Sequence, residues 1–181
     1  MTEIKAVCVF CGARNEVPQT HLDVGRTFGT MLAKRGVRLV YGGGDCGVMG
    51  AVANAVLKNK GQVTGVFPRS LKDLESEHAS LSEIIMVESM HERKRIMFER
   101  SDAIVVLPGG FGTMDEMFEI ITWKQLRFHT KPVVILNNQG YWDPLVALME
   151  SIITNGFARE ETRQLYTVVD SPEAIFRTIE A

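Results

Sequence analysis

Cysteine is scarce in this chain, which has three cysteines among 181 residues. An odd number of cysteines without a secretory signal predicts reduced thiols and argues against a disulfide framework. Cys8 and Cys11 have the C-x-x-C spacing of redox and zinc sites. However, Cys8 lies inside a predicted strand, whereas a redox cysteine is activated at a helix N-terminus. We therefore expect both to be small buried residues near the end of a strand.

Long apolar runs are missing as well. No run reaches the roughly 18 residues of a membrane span. The short run at 6–10 lacks the length and the basic flank of a signal peptide. These observations predict a cytoplasmic protein.

The sequence also lacks an excess of charge, since 20 lysines and arginines are balanced by 22 aspartates and glutamates. The formal net charge of -2 gives no global attraction to nucleic acid or to an anionic membrane. A phosphate site must therefore be built locally, which favours a small phosphorylated ligand over a polymer. With 45% hydrophobic residues, the chain is expected to form a single domain over residues 1–181.

Short apolar runs alternate with helical patterns along the chain. This alternation predicts an α/β fold with one Rossmann-like, doubly wound parallel sheet of about seven strands and helices on both faces. In such a sheet, ligands bind outside the carboxyl ends of the strands, near the point where the strand order reverses. The predicted strands lie at 4–10, 37–41, 62–67, 83–87, 102–107, 132–136 and 165–169.

A glycine-rich segment, L-P-G-G-F-G-T-M-D-E at 107–116, joins a predicted strand to an amphipathic helix. Gly109, Gly110 and Gly112 can take positive φ and have no Cβ, so a ligand can approach their N–H groups closely. The positive end of the helix dipole would face the same ligand. The segment therefore predicts a phosphate-binding loop. It lacks the Lys-Ser/Thr ending of a P-loop, which disfavours ATP-driven phosphoryl transfer.

Glu116, which ends this segment, has two interpretations. Thr113 and Glu116 have the spacing of a capping box, a common structural device worth about 1 kcal/mol. A carboxylate beside a phosphate-binding helix start would repel the phosphate unless it contacts another part of the ligand. That geometry suits a carboxylate facing a ribose, and we expect the functional role.

The first glycine motif along the chain, ahead of the second at 107–116, is Y-G-G-G-D-C-G-V-M-G at 41–50, which also joins a strand to a helix. Gly42, Gly44 and Gly47 match G-x-G-x-x-G. A dinucleotide site also needs an acidic residue at the end of the next strand, where this chain has V-F-P-R. The motif predicts binding of a nucleotide fragment, with turn geometry alone as the alternative. A full nicotinamide or flavin cofactor is disfavoured.

The segment S-M-H-E-R-K-R begins with a capping box formed by Ser89 and Glu92. It places Arg93 and Lys94 in the first helical turn, where the dipole disfavours cations by roughly 0.3–1 kcal/mol each. An anionic ligand would remove this conflict, and a solvated basic face is the alternative. Arg95 stands where the zinc motif H-E-x-x-H needs its second histidine, so we expect no metal site.

Three motifs thus occur together, in order, at the ends of successive predicted strands: Y-G-G-G-x-x-G-x-M-G, M-H-E-R-K and P-G-G-x-G-T-x-x-E. The chain thereby resembles the LOG family, the cytokinin riboside 5′-monophosphate phosphoribohydrolases, long mislabelled as lysine decarboxylases. The resemblance implies an N-glycosidase that hydrolyses adenosine 5′-monophosphates, plain or N-substituted, to the free base and ribose 5-phosphate. It also implies a homodimer or higher homo-oligomer and no cofactor.

The resemblance implies roles for individual residues as well. Arg93 and Glu116 match the catalytic pair of the family. The residues assigned to substrate binding, from the resemblance and the glycine loops together, are Glu75, Lys94, Gly109, Gly110, Phe111, Gly112, Thr113, Thr122, Gly43 and Gly44.

The first loop departs from the family pattern. The family commonly has small hydroxyl residues after C-G, whereas this chain has G-A-R-N at 12–15. Arg14 either adds a phosphate contact or faces solvent. His21 belongs to no motif and is expected at the surface or partly buried.

The alternative function is a nucleotide or molybdenum-cofactor carrier on the same fold, which needs a phosphate loop but no acid facing a sugar. The pairing of Arg93 with Glu116 favours the enzyme.

Overall fold

The computed structural model describes residues 3–71 and 77–181. Within these ranges, seven strands form one sheet in which every neighbouring pair is parallel. The expected α/β fold with about seven parallel strands is confirmed. The strands are β1 (Ala6–Phe10), β2 (Arg38–Tyr41), β3 (Val63–Pro68), β4 (Glu83–Val87), β5 (Ala103–Val106), β6 (Val133–Leu136) and β7 (Thr167–Val169).

Helices cover both faces of this sheet. The six α-helices of the described ranges are α1 (Gln19–Lys34), α2 (Gly47–Lys58), α3 (Met90–Glu99), α4 (Phe111–Gln125), α5 (Asp143–Thr154) and α6 (Pro172–Ile179). One hydrophobic core contains side chains of α1, α2 and α6, and the other contains side chains of α3, α4 and α5. The doubly wound arrangement predicted from the sequence is therefore present.

The central strand β1 contributes to both cores. Val7 and Val9 pack into one core, whereas Cys8 and Phe10 pack into the other. Successive side chains of a strand point to opposite faces. Because both faces are covered by helices, the strand is continuously apolar rather than alternating. Cys8 and Cys11 are both buried, as expected for small residues near the end of a strand.

The strand order is β4-β3-β2-β1-β5-β6-β7, so it reverses beside β1. The chain runs outward from β1 to β4 and then returns to pair β5 with the other side of β1. Such a reversal opens a crevice at the carboxyl ends of the two strands. The loops that follow β1 and β5 meet there, since the N–H of Gly12 donates to the carbonyl oxygen of Pro108 at 3.0 Å.

The helices of the described ranges include none that is both long enough and apolar enough to cross a membrane.

Candidate active site

A cleft of about 880 Å³ lies at the reversal point of the strand order. It brings together residues from the loops after β1 and β5 and from the starts of α1 to α4. Arg93, Glu116 and residues 109–113 of the predicted site all line it. The lining residues are Cys11, Gly12, Ala13, Arg14, Val17, Pro18, His21, Val48, Met49, Leu71, Met90, Arg93, Pro108, Gly109, Gly110, Phe111, Gly112, Thr113, Glu116 and Tyr141.

The first glycine motif, at 41–50, leads into the start of α2, where other groups of the protein already accept hydrogen bonds from the helix amides. The side-chain oxygen of Asn15 accepts from the N–H of Gly47 at 2.9 Å. The carbonyl oxygen of Gly12 accepts from the N–H of Met49 at 3.1 Å. Gly47 has φ +58°, and a Cβ there would lie 2.5 Å from the carbonyl oxygen of Arg14. The start of α2 therefore holds the loop after β1, which leaves less room for a phosphate than the sequence motif suggests.

The second glycine motif leads into an open helix start. Gly110 is the N-cap of α4, and no side-chain hydrogen bond caps this end among the described residues. The first intrahelical bond is donated by Met114 to the carbonyl oxygen of Gly110 at 3.1 Å. The amides of residues 111–113 precede that bond and have no intrahelical acceptor. A Cβ at Gly110 or Gly112 would meet no atom within 4 Å, so an anion has room to approach.

The local geometry of this loop differs from the sequence prediction in two respects. The helix begins at Phe111, which puts Thr113 at its third position, so the alternative of a capping box formed by Thr113 and Glu116 is wrong. Gly109 does not have positive φ. Glycine is needed at position 109 for close packing, because a Cβ there would lie 2.0 Å from Oγ1 of Thr113. Gly110 and Gly112 do not have positive φ either. At these two positions, the lack of a side chain instead lets a ligand approach the backbone amides.

Arg93 is held at the base of the cleft by α3. The predicted N-cap is confirmed, since Oγ of Ser89 accepts from the N–H of Glu92 at 3.1 Å. Arg93 is 4% exposed. Its Nε donates to the carbonyl oxygen of Val66 at 3.2 Å, and its Nη2 donates to that of Gly42 at 2.9 Å. The alternative of a solvated basic face is therefore wrong for this residue. Two strand ends hold the guanidinium in one orientation.

Glu116 brings a carboxylate to the same part of the cleft. It lies one turn beyond the open start of α4 and is 4% exposed. Burial raises the pKa of the Cys11 thiol, the charge of Glu116 raises it further, and the charge of Arg93 lowers it. Both charges therefore act on one buried thiol in the lining. Because isolated buried charges are costly, a buried cation and anion in a cleft indicate a functional site.

Comparison with known proteins assigns the chain to a family. The family model described as "Possible lysine decarboxylase" matches residues 49–179. A probable cytokinin riboside 5′-monophosphate phosphoribohydrolase of Oryza sativa subsp. japonica is 42% identical over 96% of this chain and 78% of its own length. A cytokinin riboside 5′-monophosphate phosphoribohydrolase of Arabidopsis thaliana is 37% identical over 99% of this chain and 79% of its own length. The chain belongs to the LOG family.

Solved structures show the same fold in a protein of another class. The molybdenum cofactor binding protein from the phototrophic bacterium Rippkaea orientalis has a TM-score of 0.75 to this chain. It is 20% identical, and the match covers 99% of this chain and 98% of that chain. At this identity the likeness shows the fold alone. It adds no support for the carrier function beyond the shared fold.

Several residues that the LOG resemblance assigns to substrate binding lie away from the cleft lining. Nζ of Lys94 is 2.6 Å from Oε2 of Glu119 and 3.1 Å from Oδ2 of Asp115. Burial alone would lower the pKa of Lys94, but the hydrogen bonds to these two carboxylates and their negative charges together raise it above its usual value. Lys94 is itself buried, so the solvated-face alternative is wrong here too. Thr122 is exposed on α4.

Gly43 and Gly44 of the first glycine motif contact other parts of the protein. Gly43 has φ +84°, and a Cβ there would lie 3.2 Å from Cβ of Phe67. The carbonyl oxygen of Gly44 accepts from the hydroxyl of Tyr41 at 2.9 Å. Substrate binding by Gly43, Gly44, Lys94 and Thr122 stays a prediction. Glu75 lies outside the described residues.

Sequence reasoning missed part of the lining. His21, Met90 and Tyr141 face the cleft, although no motif marks His21 or Tyr141. Arg14 lines the cleft as well, and its Nη2 lies 3.7 Å from Oε2 of Glu16. Phe111 is almost fully exposed at the start of α4. The apolar members Val17, Val48, Met49 and Leu71 come from three different segments, so their proximity has no signal in the sequence.

Proposed function

We propose that this protein hydrolyses the N-glycosidic bond of adenosine 5′-monophosphates, releasing the base and ribose 5-phosphate. The observation that carries the proposal is the buried pair of Arg93 and Glu116 in the cleft that contains the open start of α4. The relatives named cytokinin riboside 5′-monophosphate phosphoribohydrolases support it. On the same basis we expect a cytoplasmic homo-oligomer, a homodimer at least, that needs no cofactor.

The 5′-phosphate is expected at the start of α4. The amides of residues 111–113 and the dipole of a helix of 15 residues favour an anion there. Gly110 and Gly112 leave the approach open. This contact lies away from the bond that is cut, so its binding energy can support orientation of the sugar.

Glu116 is the proposed general base. Water attacks C1′ of the ribose as the bond to the base breaks, and the bonding electron pair leaves with the base. Positive charge develops on the sugar, which a nearby carboxylate stabilises. Glu116 accepts a proton from the attacking water and returns it to the departing base. Arg93 is expected to stabilise negative charge that develops on the base, from a position set by its two carbonyl partners.

The rest of the cleft favours an apolar group on the base. Val17, Met49, Leu71 and Met90 supply an apolar wall beside the charged pair. An isoprenoid or aromatic substituent on the exocyclic amine would be more stable against this apolar wall than in water. We therefore propose N-substituted AMP as the preferred substrate over AMP itself.

Release of free base is the decisive measurement. The protein is incubated with AMP, isopentenyl-AMP, adenosine and ATP, and the base is quantified by chromatography. We expect base from the two monophosphates, and faster release from isopentenyl-AMP. If nucleotides bind but no monophosphate yields base, the protein is a carrier and the proposed function is wrong.

A further inference from the structure

The segment that joins β5 to α4 is held at three successive carbonyl groups. The carbonyl oxygen of Pro108 accepts from the N–H of Gly12 at 3.0 Å. The carbonyl oxygen of Gly110 accepts the first hydrogen bond inside α4 at 3.1 Å. Between them, the carbonyl oxygen of Gly109 accepts from the phenolic hydroxyl of Tyr141 at 2.5 Å. Of these three bonds, only the middle one is donated by a side chain.

The orientation of the peptide between Gly109 and Gly110 depends on the hydrogen bond from Tyr141. Glycine on both sides gives this peptide more intrinsic freedom to rotate than any other residue pair would, and only Gly109 is packed closely, against Thr113. A Cβ at Gly110 would meet no atom within 4 Å, so local packing does not restrain that residue. In a planar trans peptide, the C=O and N–H groups point in opposite directions. The hydroxyl of Tyr141 therefore also sets the direction of the Gly110 N–H, next to the amides proposed to bind phosphate.

Tyr141 is presented by a turn of defined geometry. Gln139 has φ 54° and Gly140 has φ 72°, so two successive residues are in the left-handed region. This conformation is uncommon for a residue with a side chain, and such outliers concentrate at functional sites. Oδ1 of Asn137 accepts from the N–H of Trp142 at 2.7 Å, which ties the end of the turn back to the end of β6.

The ring of Tyr141 is held between two neighbours. His21 and Trp142 make edge contacts with it, with ring centroids 4.9 and 4.7 Å away. Nδ1 of His21 is buried and has no hydrogen-bond partner among the described residues. His21 therefore contributes packing to Tyr141 rather than a polar bond, and the packing limits rotation of the phenol.

We infer that Tyr141 is a positioning residue for the 5′-phosphate, which acts by orienting the peptide between Gly109 and Gly110. The inference rests on one part of the proposed function, the binding of the 5′-phosphate by the amides at the start of α4, and not on cleavage of the glycosidic bond. Tyr141 itself needs no contact with the ligand. Loss of its hydroxyl should weaken the binding only of ligands that carry the phosphate. A general role of Tyr141 in stability would not predict this selectivity.

The test is Tyr141→Phe, which removes the hydroxyl and keeps the ring contacts. The Kd of ribose 5-phosphate, by calorimetry, is expected to rise about 5-fold to 10-fold, as for one lost hydrogen bond. The KM for AMP should rise by a similar factor with little change in kcat. The Kd of adenosine, which has the same base and sugar but no phosphate, should not change. As a second variant, His21→Ala should raise the Kd of ribose 5-phosphate by a smaller factor.

Tyr166→Phe is the matched control, because it removes a phenolic hydroxyl from a half-buried tyrosine outside the cleft lining. It should change none of these constants. The inference is overturned if Tyr141→Phe binds ribose 5-phosphate like the wild type, if adenosine weakens equally, or if the wild type does not bind ribose 5-phosphate. If the wild type binds ribose 5-phosphate in a Tyr141-dependent manner but releases no base from AMP, the proposed function fails and the inference stands.

Discussion

Nη2 of Arg93 donates a 2.9 Å hydrogen bond to the carbonyl oxygen of Gly42, and this contact requires a residue without a side chain. A Cβ at position 42 would lie 2.0 Å from Nη2 and 3.0 Å from Cζ of Arg93. Nε of the same guanidinium is bound to the carbonyl oxygen of Val66. The first glycine motif therefore serves the site by positioning Arg93, in addition to forming the turn into α2.

Gly42→Ala should reduce turnover without unfolding the protein. The added methyl displaces the guanidinium from Gly42, and misplacing a catalytic group by about 1 Å can cost roughly 100-fold in rate. We expect a loss of that order in kcat for AMP, with circular dichroism unchanged. In an Arg93→Ala background, the same substitution should cost little more. Independent, additive losses in the double variant would show that Gly42 does not act through Arg93.

Glu116→Gln should separate binding from chemistry. The amide keeps the shape of the side chain but cannot accept the proton of the attacking water. General-base catalysis contributes about 10²-fold to 10⁴-fold, and we expect kcat to fall by that amount while AMP still binds in calorimetry. The matched control is Glu173→Gln, because Glu173 is an exposed residue of α6 outside the cleft lining. Turnover of Glu116→Gln at the wild-type rate would remove Glu116 from the mechanism.

Two glycines of the phosphate loop should respond in opposite ways to alanine. At Gly112 a methyl meets no protein atom, and alanine favours a helix by roughly 0.5–1 kcal/mol, so urea unfolding should show equal or greater stability. The methyl projects where the ligand approaches, and KM for AMP should rise. At Gly109 the methyl meets Oγ1 of Thr113, which should cost roughly 1–3 kcal/mol of stability. Unchanged AMP binding in Gly112→Ala would contradict the phosphate position.

Val17→Thr should lower the preference for an apolar base. Threonine has nearly the shape of valine but adds a hydroxyl to the apolar wall, at a cost of roughly 1–3 kcal/mol when no partner is available. We expect the ratio of kcat/KM for isopentenyl-AMP over AMP to fall several-fold. Val168→Thr, on the exposed part of β7, is the matched control. An unchanged ratio in Val17→Thr would place the base substituent elsewhere.

Alkylation should distinguish the three cysteines. Burial raises the pKa of the Cys8 thiol and of the Cys11 thiol, and the charge of Glu116 adds to both effects. The thiolate is the reactive form, so both should resist iodoacetamide at pH 8 in the native protein. Cys46 is only half-buried and should react. Mass spectrometry should find one adduct in the native protein and three in urea. An adduct at Cys11 in the native protein would contradict its burial.

The strand pattern was predictable because burial on both faces leaves continuous apolar runs. The run predicted at 102–107 is β5 at Ala103–Val106, and the run at 132–136 is β6 at Val133–Leu136. The capping residue of α3 was also predictable, since Ser89 and Glu92 interact locally. The start of α4 was not, because its N-cap is Gly110, which leaves no polar signal, while Thr113 and Glu116 imitate a capping box by spacing alone.

By itself, the sequence determined the α/β fold and the placement of Arg93 and Glu116 near strand ends. These features depend on periodicity and on neighbours along the chain. Only the tertiary structure decided which of two glycine-rich helix starts is open. That depends on Asn15 and Gly12, which fill the start of α2 from more than thirty residues away. It likewise decided that the hydroxyl of Tyr141 meets the carbonyl oxygen of Gly109, since distant segments meet only where the strand order reverses.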